Sequence, residues 1–172
     1  MDLTALAAEL SDVAQLSGSF RLRSGQAAST YFDKYQFESD PELLRSVAAA
    51  MVELIPNDTE LLAGLELGGV PVATALSLAS GLPVVFVRKT AKEYGTAKLA
   101  EGPDIDGKRL LIVEDVVTTG GQVIQSTQDL RERGALVDTA VCVIDREQGG
   151  AEALAEIDLV LRPLFRRSDI ER

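Results

Sequence analysis

The chain has 172 residues, 46% of them hydrophobic and 26% charged, the proportions of an ordinary folded domain rather than a disordered or fibrous chain. It has no histidine, which removes every triad, general base or zinc site built on imidazole. Its net charge of −10 disfavours non-specific binding to nucleic acid or an anionic membrane surface, so neither partner is expected.

Acid–base work must therefore fall to carboxylates, Lys, Tyr or the substrate. No apolar run reaches the roughly 18 residues of a membrane span, and Met1-Asp2-Leu3 does not open a secretory signal. The lone Cys142 cannot close an internal disulfide, so the expected compartment is a reducing cytoplasm. The length fits one domain, 1–172.

Leu3, Leu6, Leu10 and Val13 recur at helical spacing and predict an amphipathic helix over 3–16. The alternation of residues 20–25 predicts a short strand, and Thr30–Gln36 a second one with an aromatic pair. Asp40-Pro41-Glu42 is an N-cap followed by Pro at the first helical position, opening a helix to about Ile55. From residue 61 the pattern becomes βα units. Strands are expected at Leu61–Leu65, Pro83–Val87, Arg109–Val113, Leu136–Ile144 and Leu159–Leu161. Helices are expected at Val70–Leu78, Gln122–Arg133 and Ala151–Glu156. Continuous apolar strands separated by helices imply an α/β fold with a mostly parallel central sheet covered on both faces. Residues 88–108 carry Gly95, Gly102, Pro103 and Gly107 with little periodicity, which reads as a long flexible lid or binding loop.

The most informative segment runs from Leu110 to Gln122, LLIVEDVVTTGGQ. A buried strand delivers Glu114 and Asp115 to its carboxyl end, where ligands of parallel sheets bind. The Thr118-Thr119-Gly120-Gly121 turn and the helix start after it offer backbone N–H groups to a phosphate. Acids beside such a cradle suit a sugar phosphate, because carboxylates accept from vicinal hydroxyls. The plain alternative is a strand–turn–helix corner whose acids are solvated or cap the helix. A second constellation, Arg88-Lys89-Thr90-Ala91-Lys92-Glu93-Tyr94, places three cations at a strand end, suited to clamping a diphosphate or merely to a solvated surface.

The first segment resembles the signature by which type I phosphoribosyltransferases bind 5-phospho-α-D-ribose 1-diphosphate (PRPP). The Arg-Lys-x-x-Lys-x-Tyr loop narrows the resemblance to the orotate phosphoribosyltransferase family. Phe20–Gly25 with Ser29–Asp33 looks like that family's N-terminal hood, Gly64–Pro71 like its diphosphate turn, and Val143–Arg146 like its orotate strand. The resemblance implies the type I fold, with a hood mainly in 1–40 and a flexible catalytic loop at about 89–108. It implies that Glu114 and Asp115 hold the ribose hydroxyls, that Thr118, Thr119, Gly120, Gly121 and Gln122 wrap the 5-phosphate, and that Val116 and Val117 also meet PRPP. PRPP is further met by Arg88, Lys89, Lys92, Tyr94, Gly68 and Gly69, with Lys92, Glu114 and Asp115 as the catalytic set.

Orotate would be met by Thr118, Arg146, Arg23, Tyr31 and Phe32. Read without the resemblance, Tyr31 and Phe32 could be core aromatics and Arg146 an ion-pair partner of Asp145. The family further implies Mg²⁺ bound mainly through PRPP rather than by protein ligands, and a homodimer in which Lys89 acts in trans. Arg23 stands where many members have Lys, Gly68 where some have Lys, and Tyr94 where His is common. The implied activity is transfer of ribose 5-phosphate from PRPP to orotate. The alternatives are transfer to a purine or uracil, or a non-catalytic PRPP sensor.

Overall fold

A computed structural model of the chain describes residues 2–21, 25–91 and 98–170. Helix α1 (Leu3–Ala14) is capped by Asp2, whose carboxylate accepts from the N–H groups of Thr4 and Ala5. It gives way to an antiparallel hairpin of β1 (Gln15–Arg21) and β2 (Ala27–Phe32). The strand expected to continue to Gln36 instead ends at Phe32, because the carboxylate of Asp33 accepts from the N–H of Tyr35 and starts α2 (Lys34–Ser39). Asp40 caps α3 (Pro41–Met51) in the same way, with Pro41 in the first turn. A single 3₁₀ turn (Val52–Leu54) follows it.

The main sheet contains β3 (Leu61–Leu65), β4 (Val84–Val87), β5 (Ala100–Glu101), β6 (Arg109–Val117), β7 (Leu136–Asp145) and β8 (Val160–Arg166). Their order is β5-β4-β3-β6-β7-β8, parallel except for the β4–β5 edge pair. The short β5 lies inside the stretch expected to be loop. Two residues carry too little periodicity to announce a strand. Helices α4 (Gly69–Ser80), α5 (Gly121–Arg131) and α6 (Gly150–Ala155) connect the parallel strands, and α7 (Arg167–Ile170) follows β8.

Alternation along the buried strands separates two cores. Leu62, Leu111, Val113, Val141 and Val143 pack with α1, α3 and α4. Leu61, Ala63, Leu110, Ile112 and Cys142 pack on the opposite face, with Val123 and Leu130 of α5 and Leu154 of α6. The chain thus winds outward from β3 through α4 in one direction and from β6 through α5 and α6 in the other. The junction of β3 and β6 is a topological switch point, where neighbouring loops diverge and leave a crevice beyond the strand ends.

Arg131, in the last turn of α5, fastens this second half. Its guanidinium donates to the carbonyls of Val137 at 2.6 and 3.0 Å, Ile157 at 2.7 Å and Asp158 at 3.2 Å. Those oxygens would be left without charged donors in Arg131→Met, which should lower unfolding free energy by roughly 2 kcal/mol in urea denaturation.

Candidate active site

Strand β6 does not stop at Val113 but runs through Val117, paired to β7 as far as Asp145. Glu114 and Asp115 are therefore strand residues, both buried, rather than members of the loop beyond. The backbone N–H of Asp115 donates to Glu114 Oε1 at 3.1 Å, and that of Val116 to Asp115 Oδ1 at 2.5 Å. Strand parity puts Asp115 on the face of Leu111 and Val113, toward α2 and α4.

There it meets two side chains that sequence reasoning did not single out. Lys34 Nζ lies 2.5 Å from Asp115 Oδ2, with the lysine side chain one-third exposed and the carboxylate fully buried. Glu38, one turn along α2, turns a buried carboxyl oxygen toward the same place. Burial, reinforced by a hydrogen bond with Asp115 and by its charge, pushes the Glu38 carboxyl up to about 9. Burial and Asp115 likewise hold Glu114 well above the ordinary range. Asp115 goes the other way. Burial opposes its charge, but hydrogen bonds from Glu38, Glu114 and Lys34, with the charge of Lys34, outweigh that and lower its pKa. Lys34 is partly desolvated too, yet Asp115 and Glu114 raise its pKa above the ordinary value. Near neutrality Glu38 keeps its proton, Asp115 is a carboxylate and Lys34 an ammonium, while Glu114 is shifted toward its protonated form.

The turn after β3 completes this floor. Gly68 and Gly69 are buried, and the Glu66–Leu67 peptide is cis. A Cβ on Gly68 would overlap the Asp115 carboxylate, and one on Gly69 would overlap the Val113 carbonyl. Glycine at 68 is thus what lets the turn lie directly on the acid. The same turn is tied to β4, since the Lys89 N–H donates to Glu66 Oε1 at 2.5 Å. The Lys89 residue is exposed, whereas the Arg88 guanidinium reaches Glu101 on β5 at 3.3 Å.

On the other side of β6, Thr118 and Thr119 are exposed and Gly120 turns the chain with φ 80°, pressed against Leu154 and Gly150. Helix α5 then begins at Gly121 with no side-chain cap. Its first-turn N–H groups, beside exposed Gly121 and Gln122, face a position suited to an anion.

Arg146 follows the end of β7, with its N–H on the Val117 carbonyl at 2.9 Å. Its guanidinium carbon lies 5.3 Å from the centre of the Phe32 ring, which joins hood and sheet. Phe32 is half-buried and packs on the first core, while Tyr31 is exposed and pairs with Phe20 at 5.6 Å. The expected base-facing role therefore competes with core packing at Phe32 far more than at Tyr31. Arg23, Lys92 and Tyr94 lie outside the described residues. Cys142 is fully buried, and its thiol pKa is pushed well up by that burial and by neighbouring acids, so it is an inert core residue. Lys34 had one faint signal in the sequence, being one of only five lysines and standing directly after an N-capping Asp.

Residues 35–161 match the model of the phosphoribosyl transferase domain, and the chain belongs to the phosphoribosyltransferase family, with the fold of its type I members. Within that family its similar curated relatives include several orotate phosphoribosyltransferases. It is 54% identical over 166 residues to an orotate phosphoribosyltransferase from Nocardioides sp., covering 96% of this chain and 93% of the relative. The orotate phosphoribosyltransferase of Mycobacterium tuberculosis, in its complex with Fe(III) dicitrate, superposes with a TM-score of 0.90 at 32% identity and full coverage of both chains. The same enzyme in complex with PRPP superposes with a TM-score of 0.85 at 29% identity, again over the whole of both chains.

Two outcomes follow from this geometry. Gly68→Ala pushes a methyl group into the Asp115 carboxylate and should weaken PRPP binding by at least about 10-fold in calorimetric titration, given a displaced charged acceptor. Glu38 has a raised carboxyl pKa in the folded state, so it takes up a proton on folding. Its contribution to stability is complete below about pH 4.5 and is lost as pH rises toward 9. Glu38→Gln, neutral at every pH, should therefore gain thermal stability over the wild type between pH 7 and 9, with no gain at pH 4.5, as read by melting curves.

Proposed function

We propose that this chain is an orotate phosphoribosyltransferase, breaking the bond from ribose C1 to diphosphate in PRPP and joining C1 to N1 of orotate. The products are orotidine 5′-monophosphate and diphosphate. The observation that carries this reading is the meeting, at one switch point, of a buried acid pair, an uncapped helix start and an arginine set against an aromatic hood.

Each part has a task. The Glu114–Asp115 pair accepts from the ribose hydroxyls, and the turn Thr118–Gln122 takes the 5-phosphate on backbone N–H groups. Gly68 and Gly69 leave backbone room for the diphosphate, and Arg88 and Lys89 stand at the edge where negative charge grows as it departs. Lys92 is the catalytic cation of the loop on the sequence pattern. The reacting ribose becomes oxocarbenium-like, so the enzyme's task is placement of charge more than transfer of protons, which a chain without histidine can do. Orotate attacks as an anion and needs no strong base.

Mg²⁺ would be held mainly by oxygens of PRPP. Asp115 suits that arrangement, since its oxygens already accept from the Val116 N–H and Lys34. When bound, the ion neutralises the diphosphate. Arg146 grips the orotate carboxylate, with Thr118, Tyr31, Phe32 and Arg23 around the base. Closure of the 89–108 loop would exclude the water that competes for the ribosyl cation. The homodimer, with Lys89 reaching the partner's site, and a cytoplasmic setting belong to the same reading.

The test is loss of orotate absorbance with PRPP and Mg²⁺, beside uracil, hypoxanthine, adenine and guanine. Metal-dependent consumption of orotate alone is the expected result, and turnover of another base instead would replace it. Arg146→Ala should raise the KM for orotate by about 100-fold, the loss of a charged hydrogen-bonded pair, and leave the KM for PRPP close to wild type.

A further inference from the structure

Asp115 is asked to be an anion in an adverse place. Its carboxylate is fully buried, it lies against the backbone of Gly68, and two further carboxyl groups share its surroundings. Three adjacent acids out of water cannot all be ionised, because each charge raises the cost of the next. Something must decide which of them keeps its charge. Among the described residues, the groups around Asp115 are few and identifiable. From α2 come Lys34 and Glu38, with Asp33 and Tyr35 behind them. From β6 comes Glu114, and from β7 the Cys142 thiol, held neutral, with Asp145 beyond it. Lys34 is the cation of this set, and its ammonium sits on Asp115 Oδ2 rather than on Glu38 or Glu114.

The lysine is also held where it must be. It is the first residue of α2, directly after the Asp33 cap that ends hood strand β2. Its ammonium lies 5.4 Å from the Tyr35 ring centre as well, a second contact that favours the charged form.

We infer that Lys34 is a positioning residue for PRPP: it selects Asp115 as the ionised member of the acid cluster and holds that carboxylate against Gly68, ready for a ribose hydroxyl. This rests on the reading of Asp115 as a ribose contact. Lys34 acts through Asp115, so its removal has a signature that loss of a simple phosphate-binding cation lacks. Without the ammonium, Asp115 retains burial and two acidic neighbours, and its pKa rises. It then takes up a proton as pH falls toward 6 and no longer offers a charged acceptor. Lys34 itself, with a raised pKa, stays charged throughout that interval.

The experiment is calorimetric titration of PRPP with Mg²⁺ into wild type, Lys34→Met and Lys34→Arg from pH 6 to 9 at constant ionic strength, reported as the ratio of each variant's Kd to the wild-type value. The ratio cancels the titration of PRPP itself. For Lys34→Met it should be about 30-fold or more at pH 6 and fall by about 10-fold toward pH 9, the effect of one unit of pKa being tenfold. Lys34→Arg should stay within a few-fold of wild type and show no such slope. In an Asp115→Asn background, Lys34→Met should lose the fall in the ratio from pH 6 to 9, since the ribose acceptor itself no longer titrates.

A ratio near one, or one that is large but constant with pH, overturns the inference. The constant ratio would make Lys34 a direct anion contact or a structural prop. Melting curves for each variant separate loss of folding from loss of binding, and Lys34→Gln replaces Lys34→Met if the latter does not fold. Failure of the wild type to bind PRPP would remove the proposed function and this role with it. PRPP binding and orotate turnover by the wild type with a flat ratio would remove only the role of Lys34.

Discussion

One buried carboxylate organises the crevice. Asp115 cannot be charged there without compensation, and each neighbouring feature answers to that need. Lys34 supplies the opposite charge, the Val116 N–H takes one oxygen, Glu38 keeps its proton, and the Glu114 carboxyl is shifted toward its neutral form. Gly68 exists as glycine because the turn after β3 lies on the same carboxylate, where a side chain would displace it. A lysine at that position would add a cation only by expelling the acid. The chain instead brings its cation from the hood, on the first turn of α2.

This arrangement makes the hood more than a cover. Its strand β2 ends at Phe32, which lies under the Arg146 guanidinium, and two residues later Lys34 reaches Asp115. The hairpin is thus joined to the sheet at β7 through a cation and a ring, and at β6 through an ion pair. The two links fall on the two halves of the proposed reaction, base on one side and ribose on the other. A displacement of β2 would disturb both contacts together.

The parallel core was legible because its strands are apolar on both faces and are punctuated by Gly81, Gly134 and the Asp40-Pro41 cap. The TTGGQ turn and the acids before it were legible because few other structures need that composition at a strand end. What escaped was set by tertiary context. β6 continues through Glu114 and Asp115 because β7 pairs with it as far as Asp145, a fact absent from the local pattern. The Thr30–Gln36 alternation looked extended until the Asp33 cap intervened. β5 is only two residues long and exists by pairing with β4. Lys34 and Glu38 could not be recognised as site residues by spacing, since they lie some eighty residues from Asp115 and meet it only through the docking of α2.

The same locality explains how a chain with ten excess negative charges serves a reaction whose substrates are anions. Its overall field repels them, but at physiological ionic strength that field fades within about 8 Å of the surface. Inside the crevice the relevant groups are fixed: the uncapped start of α5, the turn N–H groups, and cations committed to particular partners. Backbone dipoles attract phosphate without adding net charge, so the phosphate cradle needs no lysine. The described cations of the crevice each have one place: Lys34 on Asp115, Arg146 beside the Phe32 ring, and Arg88 at the β4 edge. The raised pKa values of Glu38 and Glu114 work in the same direction, lowering the negative charge around Asp115. In the proposed reaction the acid cluster would offer Asp115 as its charged acceptor to the sugar, a role that depends on Lys34 and Asp115 being charged together.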